Sequence, residues 1–241
     1  MSELSTKSAF TLGVLLMLGL AALGFLVGDA ALSVKALERT VTVKGLSERE
    51  VPADIATWAV TFQVASNDLD ELFDSIESNT KIVDEFLTAY AISATEISHS
   101  PPAVADLFAQ QWGDKQHIKF RYTANSTVTV YSDKVEAVRT AMSNVVELGK
   151  KGIVIGEGGY SNQGGNQFIF TGLSDLKPDM IEEATKNARS VAEKFAADSN
   201  SKLGKIKAAR QGQFSIANRD ATTPHIKSVR VVSTIEYYLS D

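Results

Sequence analysis

"VTVKGLSEREVPADIATWAV", residues 41–60, decides the fold. Val41, Val43, Leu46 and Val51 read as one strand, and Ile55, Trp58, Val60, Phe62 and Val64 continue in the next, the latter with period-two alternation. Between them Glu48, Arg49, Glu50 and Asp54 crowd into seven positions. Carboxylates beside an arginine suit acid–base chemistry only where a partly dry concavity separates their pKa values. Successive strand residues alternate sides, so Glu48 and Glu50 share a face while Arg49 points the other way. Pro52 limits further pairing, which marks 48–54 as a bend or edge. Nothing nearby in the sequence builds a cleft, and the segment reads as a solvated edge.

Working outward, "NDLDELFDSIESNTKIVDEFLTAYA" (67–91) switches to helical spacing, with Leu69, Leu72, Phe73, Ile76, Val83, Phe86, Leu87 and Tyr90 on one side. Asn67 or Asp68 caps it, and Asp70 and Glu71 suit the helix dipole. "TEISHSPPAVADLF" (95–108) predicts a third strand ended or edged by Pro101-Pro102, and "HIKFRYTANSTVTVYS" (117–132) a long fourth. A second helix follows from Ser132 or Asp133 through Val146, with Gly149 placed to end it in the left-handed conformation. Two further strands, 153–155 and 168–171, surround the glycine-rich "GEGGYSNQGG", read as a hairpin tip. Pro178 suits the first turn of a third helix, whose stripe is Met180, Ile181, Ala184, Ala188, Val191 and Phe195. Two closing strands flank a polar loop at 217–226. The expected class is α+β: mostly antiparallel sheet built from strand–strand–helix units, helices on one face, over residues 40–241.

Ahead of this domain, "AFTLGVLLMLGLAALGFLVG" (9–28) carries no charge in twenty residues, eleven of them Leu, Val or Phe. A helix of that length spans about 30 Å, the thickness of the hydrocarbon layer. The eleven contribute an insertion term of about −3 to −7 kcal/mol at most. A cleaved signal peptide is the competing reading: Gly28-Asp29-Ala30 has small residues at cleavage spacing, but the apolar run exceeds the usual length of such signals. The favoured partition is a cytoplasmic N-terminus at 1–8, a transmembrane anchor at 9–28, a tether at 29–39, and the domain beyond. Lys7 before the span and Asp29 after it favour the N-terminus inside. Gly24 and Gly28 form a small-xxx-small pair through which anchors could pack, although such pairs are common by chance.

Composition narrows the functional classes. A net charge of −5 without a basic tract argues against nucleic acid. The chain has no cysteine, which removes disulfides, thiolate metal sites and a cysteine nucleophile. His99, His117 and His225 lie far apart and form no helical zinc pair, so neither metal nor cofactor is expected. There is no G-x-S-x-G, and "GEGGYSNQGG" lacks the Gly-Lys-Ser/Thr of a phosphate loop. One connection is out of character. "AVADLFAQQWGDKQ" (103–116) sets Leu107, Phe108 and Trp112 where polar residues are expected, marking either a self-association contact or a loop folded onto its own core.

Several local patterns, in this order, resemble the SIMPL-domain family, which includes bacterial periplasmic proteins associated with oxidative-stress defence and an immunogenic periplasmic antigen. They are 41–60, "YAISATEISHSPPAV", "YTANSTVTVYSDKVEAVRTAM", "FIFTGLSDLKPDMIEEATKNARSVAEKFAADSNSKLGKI" and "VVSTIEYYLSD". The stretch with Arg189, Ala192-Glu193-Lys194 and Leu203-Gly204 is the most specific. The resemblance departs at Ala53, which separates Pro52 from Asp54 where many members have them adjacent, and at the retained span. It implies an α+β fold in the periplasm and ring-like or channel-like homo-oligomers, with no catalytic residues to carry over. The expected function is a non-enzymatic, inner-membrane-anchored periplasmic protein with a role in envelope integrity or stress defence. The alternatives are a module binding a peptide or small ligand along an open strand edge, and a hydrolase or isomerase using Glu48, Glu50 or Asp54.

Overall fold

The computed structural model describes residues 6–36, 39–109, 118–156 and 166–240. The first element, α1, runs from Thr6 to Ala36. Its segment Phe10–Ala30 is long and apolar enough to cross a membrane, by length and composition. Phe10, Leu18 and Phe25 are all exposed, and no side chain of this segment is buried within the protein. An apolar helix without a protein partner on any side fits a hydrocarbon surround. The stretch 29–36, expected as a tether, is helical: it contains alanines, leucine and lysine but no glycine or proline to stop propagation.

The chain divides into two compact units. One comprises residues 1–48, 178–214 and 230–241, and the other 49–177 and 215–229. In the first, strands β1 (Thr40–Pro52), β8 (Lys202–Gln211) and β10 (Ile226–Ser240) lie in the order β1-β10-β8. Helix α5 (Leu173–Asp198) lays a stripe of Met180, Ala184, Ala188, Ala192 and Ala196 inward. The core joins Ala188 and Ala192 to Val43, Ile235 and Tyr237. The stripe therefore includes Ala192 and Ala196 where the sequence suggested Val191 and Phe195, which are exposed. Under the stripe, a Cβ on Gly45 would stand 1.9 Å from the Ala184 carbonyl oxygen, so the helix approaches the strand too closely for any side chain at 45. Helix α5 also begins at Leu173, five residues before Pro178, which lies inside it rather than opening it.

The second unit contains a six-stranded antiparallel sheet in the order β3-β5-β2-β6, with β4 also on β5 and β7 also on β2. Its strands are β2 (Ile55–Ser66), β3 (Ile97–His99), β4 (Ala103–Asp106), β5 (Tyr122–Ser132), β6 (Val154–Ile155) and β7 (Gln167–Ile169). The α+β class holds, with two antiparallel sheets among the described residues. Both flanks of this sheet are interrupted strands. Between β3 and β4 the register against β5 slips by one residue, across Pro101-Pro102. Between β6 and β7, which both pair with β2, the register slips by seven. Most of the glycine-rich segment expected as a hairpin tip, 157–165, lies outside the described residues.

Helices α2 (Leu69–Ala89), α3 (Val135–Ser143) and α4 (Val146–Lys150) complete the unit. Trp58, Val60, Phe62, Val83, Leu87, Val128, Val130, Val138 and Leu148 share one core. Asp68 caps α2 as its sequence indicates, accepting from the Asp70 and Glu71 amides. The expected second helix is two, and Gly149 lies within α4; the left-handed glycine is Gly152 (φ +87°), after the helix end.

Glu96 clamps this unit. It accepts from Ser132 Oγ at 2.6 Å, from the amide and hydroxyl of Ser93 at 2.7 Å each, and from Lys134 Nζ at 2.9 Å. These bonds, Ser132 foremost, hold its pKa down to about 2 from an ordinary 4.5. A depressed carboxyl stabilises above its unfolded pKa, and that contribution is lost as pH falls through the folded one. Glu96→Gln is expected to cost about 1–3 kcal/mol at pH 7. The variant's stability should also change less than the wild type's between about pH 4.5 and pH 2. Urea unfolding across that range checks both; parallel pH profiles would refute the clamp.

Candidate functional site

The β1–β2 turn is only Ala53-Asp54, and hydrogen bonds hold it. The Ala53 amide donates to the His225 carbonyl at 2.8 Å, and the Asp54 amide to the Ile169 carbonyl at 2.9 Å. The Asp54 carboxylate accepts from the Thr171 amide (2.8 Å) and from Thr171 Oγ1 (2.7 Å). Partial burial pushes the Asp54 pKa up, but the bonds from Thr171 outweigh it, and the net shift is downward. Glu50 accepts from Arg219 Nη1 at 3.3 Å with its side chain 58% exposed. Arg219 also reaches Asp220 at 3.0 Å and Thr223 Oγ1 at 2.9 Å. Asp220 in turn accepts from the Thr222 and Thr223 amides and hydroxyls, which hold its pKa well down. Glu50 and Asp54 are thus engaged in bonds that shape the turn and the loop before β10, and Glu48 is exposed.

Beside the turn, Pro52, Ala53, Val135, Glu136 and His225 help line a cleft of about 370 Å³. None of Glu48, Glu50 and Asp54 lines it. Burial pushes the His225 pKa down, and the charge of Arg139 adds to that, so the imidazole is neutral at pH 7. Its ring stands edge-on to Phe168 with centroids 6.1 Å apart.

A second cavity, about 230 Å³, is lined by Asn166, Gln167, Phe168, Asn218, Pro224 and Lys227. Lys227 is only 8% exposed. Its ammonium donates to Asn218 Oδ1, on β9 (Ser215–Asn218), and burial alone pushes its pKa down. Asn166, also 8% exposed, accepts the Ala59 amide on Oδ1 at 3.2 Å. That bond fills part of the gap between β6 and β7. The sequence reading missed this cavity. Its signal was a lysine on the inward side of an alternating strand, in line with Val229, Val231, Ser233 and Ile235.

The other singled-out residues are dispersed. Leu107 is partly buried and Phe108 is 46% exposed, at the end of β4. There Asp106 accepts from Arg121 at 2.9 Å. Trp112 and His117 lie outside the described residues. Gly24 and Gly28 have no atom within 4 Å of where a Cβ would stand. His99 bonds Asp84 at 2.9 Å. Strand β5 is paired on both sides. Among the described residues, no three metal-ligating side chains cluster.

No curated protein matches the chain. A family model does, over residues 41–234, from the second residue of β1 to the middle of β10 and so across both units. The chain belongs to the SIMPL family, described as "Protein of unknown function (DUF541)".

Proposed function

We propose that this is a non-enzymatic, membrane-anchored periplasmic protein whose domains assemble into a homo-oligomeric ring, with a role in envelope integrity or stress defence. SIMPL membership supports the periplasmic and stress-related part. The observation that carries the assembly is β8, a ten-residue edge strand with every residue but Leu203 exposed. A long edge strand uncovered on both faces is an invitation to pair.

Anchoring restricts how copies can meet. The Leu239 amide donates to the Arg39 carbonyl (2.8 Å), and Arg39 Nη2 to Ser201 Oγ (3.2 Å). The starts of β1 and β8 and the end of β10 therefore lie three residues of chain beyond Ala36, the end of α1. Copies anchored in one membrane with the same topology are related by rotation about its normal, the symmetry of a closed ring. Leu107 and Phe108 remain a contact candidate in this reading, as do Gly24 and Gly28 between anchors. The turn carboxylates, engaged by Thr171 and Arg219, support a shaping role over a catalytic one.

Sizing by light scattering of the detergent-extracted chain at micromolar concentration is expected to give a discrete multimer, and a strictly monomeric species would overturn the assembly. A second reading, capture of an extended peptide by strand addition, also rests on β8. It predicts a monomer whose outward-facing β8 amides, those not bonded to β10, are protected from exchange only when peptide is added.

A further inference from the structure

Strand β8 carries Lys202, Lys205, Lys207 and Arg210 and no acidic residue. Lys207 is engaged by Glu236 at 3.0 Å, whereas Lys205 and Arg210 are exposed and in no ion pair among the described residues. What meets this open edge need not be another strand. Its pairing with β10 is irregular at two points, between Glu236 and Tyr237 and between Tyr237 and Leu239. Bulges and lysines are devices by which a sheet edge deflects a second strand. Four cations on such an edge favour a surface of opposite charge instead.

The chain carries that surface itself. Helix α2 holds six carboxylates against the single Lys81. Asp70, Asp74 and Glu77 are spaced i, i+4 and i+7 and so share one face; all three are exposed, and none is in an ion pair among the described residues. The helix dipole accounts for Asp70, in the first turn. It does not account for Asp74 and Glu77, which lie beyond that turn and repel each other at their spacing. A cationic partner would relieve that repulsion.

We propose that the β8 edge of one copy docks on the Asp70–Asp74–Glu77 face of α2 in the next copy, with Lys205 and Arg210 meeting these carboxylates. The contact joins two different surfaces of the same chain, the heterologous kind that repeats around a ring. It rests on the ring reading above and names the two surfaces that close the ring.

Light scattering of the detergent-extracted full chain over a dilution series tests it, with circular dichroism to show that each variant is folded. Lys205→Glu with Arg210→Glu reverses one surface, and Asp74→Lys with Glu77→Lys reverses the other. Each pair should raise the concentration at which the multimer dissociates by at least about tenfold. The chain carrying all four reversals restores attraction with the signs exchanged, and its dissociation should return to within about threefold of wild type. Raising salt from about 0.1 M to about 0.5 M should weaken the wild-type multimer. The contact is overturned if either pair leaves dissociation unchanged, if the four-reversal chain does no better than the pairs, or if salt has no effect. A wild-type multimer indifferent to the reversals removes this contact and leaves the ring standing. A wild type that is monomeric throughout removes both, and protection of its β8 amides by added peptide would assign the edge to that second reading.

Discussion

An alanine at Gly45 is expected to destabilise the protein by about 3 kcal/mol or more, although it adds a single methyl group. That methyl would stand 1.9 Å from the Ala184 carbonyl oxygen, 2.5 Å from the Ala188 amide nitrogen and 2.9 Å from the Ala188 Cβ. Two of these atoms are helix backbone and cannot swing aside as the tip of a long side chain can. Relief requires α5 to lift from the sheet. Lifting also opens the Ala188–Ala192 contact with Val43, Ile235 and Tyr237. It stretches two tethers as well, Ser47 Oγ to Glu183 at 3.0 Å and Asn187 Nδ2 to the Leu46 carbonyl at 2.8 Å. Gly149 supplies the control. It lies inside α4 with no atom within 4 Å of where an added methyl would stand, so Gly149→Ala should be neutral or stabilise by up to about 1 kcal/mol. Denaturant midpoints of the two variants would separate by opposite shifts; a Gly45→Ala midpoint equal to wild type would refute the close-approach account.

The same contact of α5 with β1 shows where sequence reading succeeded and where it stopped. Alternation around 41–60 located both strands, and the cap at Asp68 located the start of α2, because each signal is local and chemically specific. Which face of α5 turns inward was not local. A helical stripe that could include either Val191 and Phe195 or Ala192 and Ala196 is settled by what lies beneath, and Val43, which packs with Ala192, is more than a hundred residues away. The division of strands into two sheets, and the sharing of one β2 edge by β6 and β7, depend likewise on long-range pairing. At the turn, Asp54 and Glu50 are bonded by Thr171 and Arg219, partners that had no signature near the turn. Lys227 was legible as an anomaly in alternation and passed unremarked, since a lysine in a strand ordinarily faces water.

Trp58→Ala should be the most damaging truncation in the six-stranded unit, at about 3–5 kcal/mol. That is a large share of the roughly 5–15 kcal/mol that holds an ordinary domain folded. Trp58 is 1% exposed, stands across from Val130 in the β2–β5 ladder, and shares its core with Val60, Phe62 and Leu87. Yet the site carries an internal cost, because its indole Nε1 is buried without a hydrogen-bond acceptor among the described residues. An unsatisfied buried donor costs about 1–3 kcal/mol. Trp58→Phe removes that donor and keeps most of the aromatic volume, so the cavity penalty and the relieved desolvation oppose each other. Its net effect should fall within about 1.5 kcal/mol of wild type, well short of the alanine variant. Chemical unfolding followed by far-ultraviolet circular dichroism ranks the three proteins without relying on the fluorophore being replaced. If phenylalanine proves as costly as alanine, the indole nitrogen has an acceptor after all, and residue 58 contributes a polar contact as well as bulk to the core.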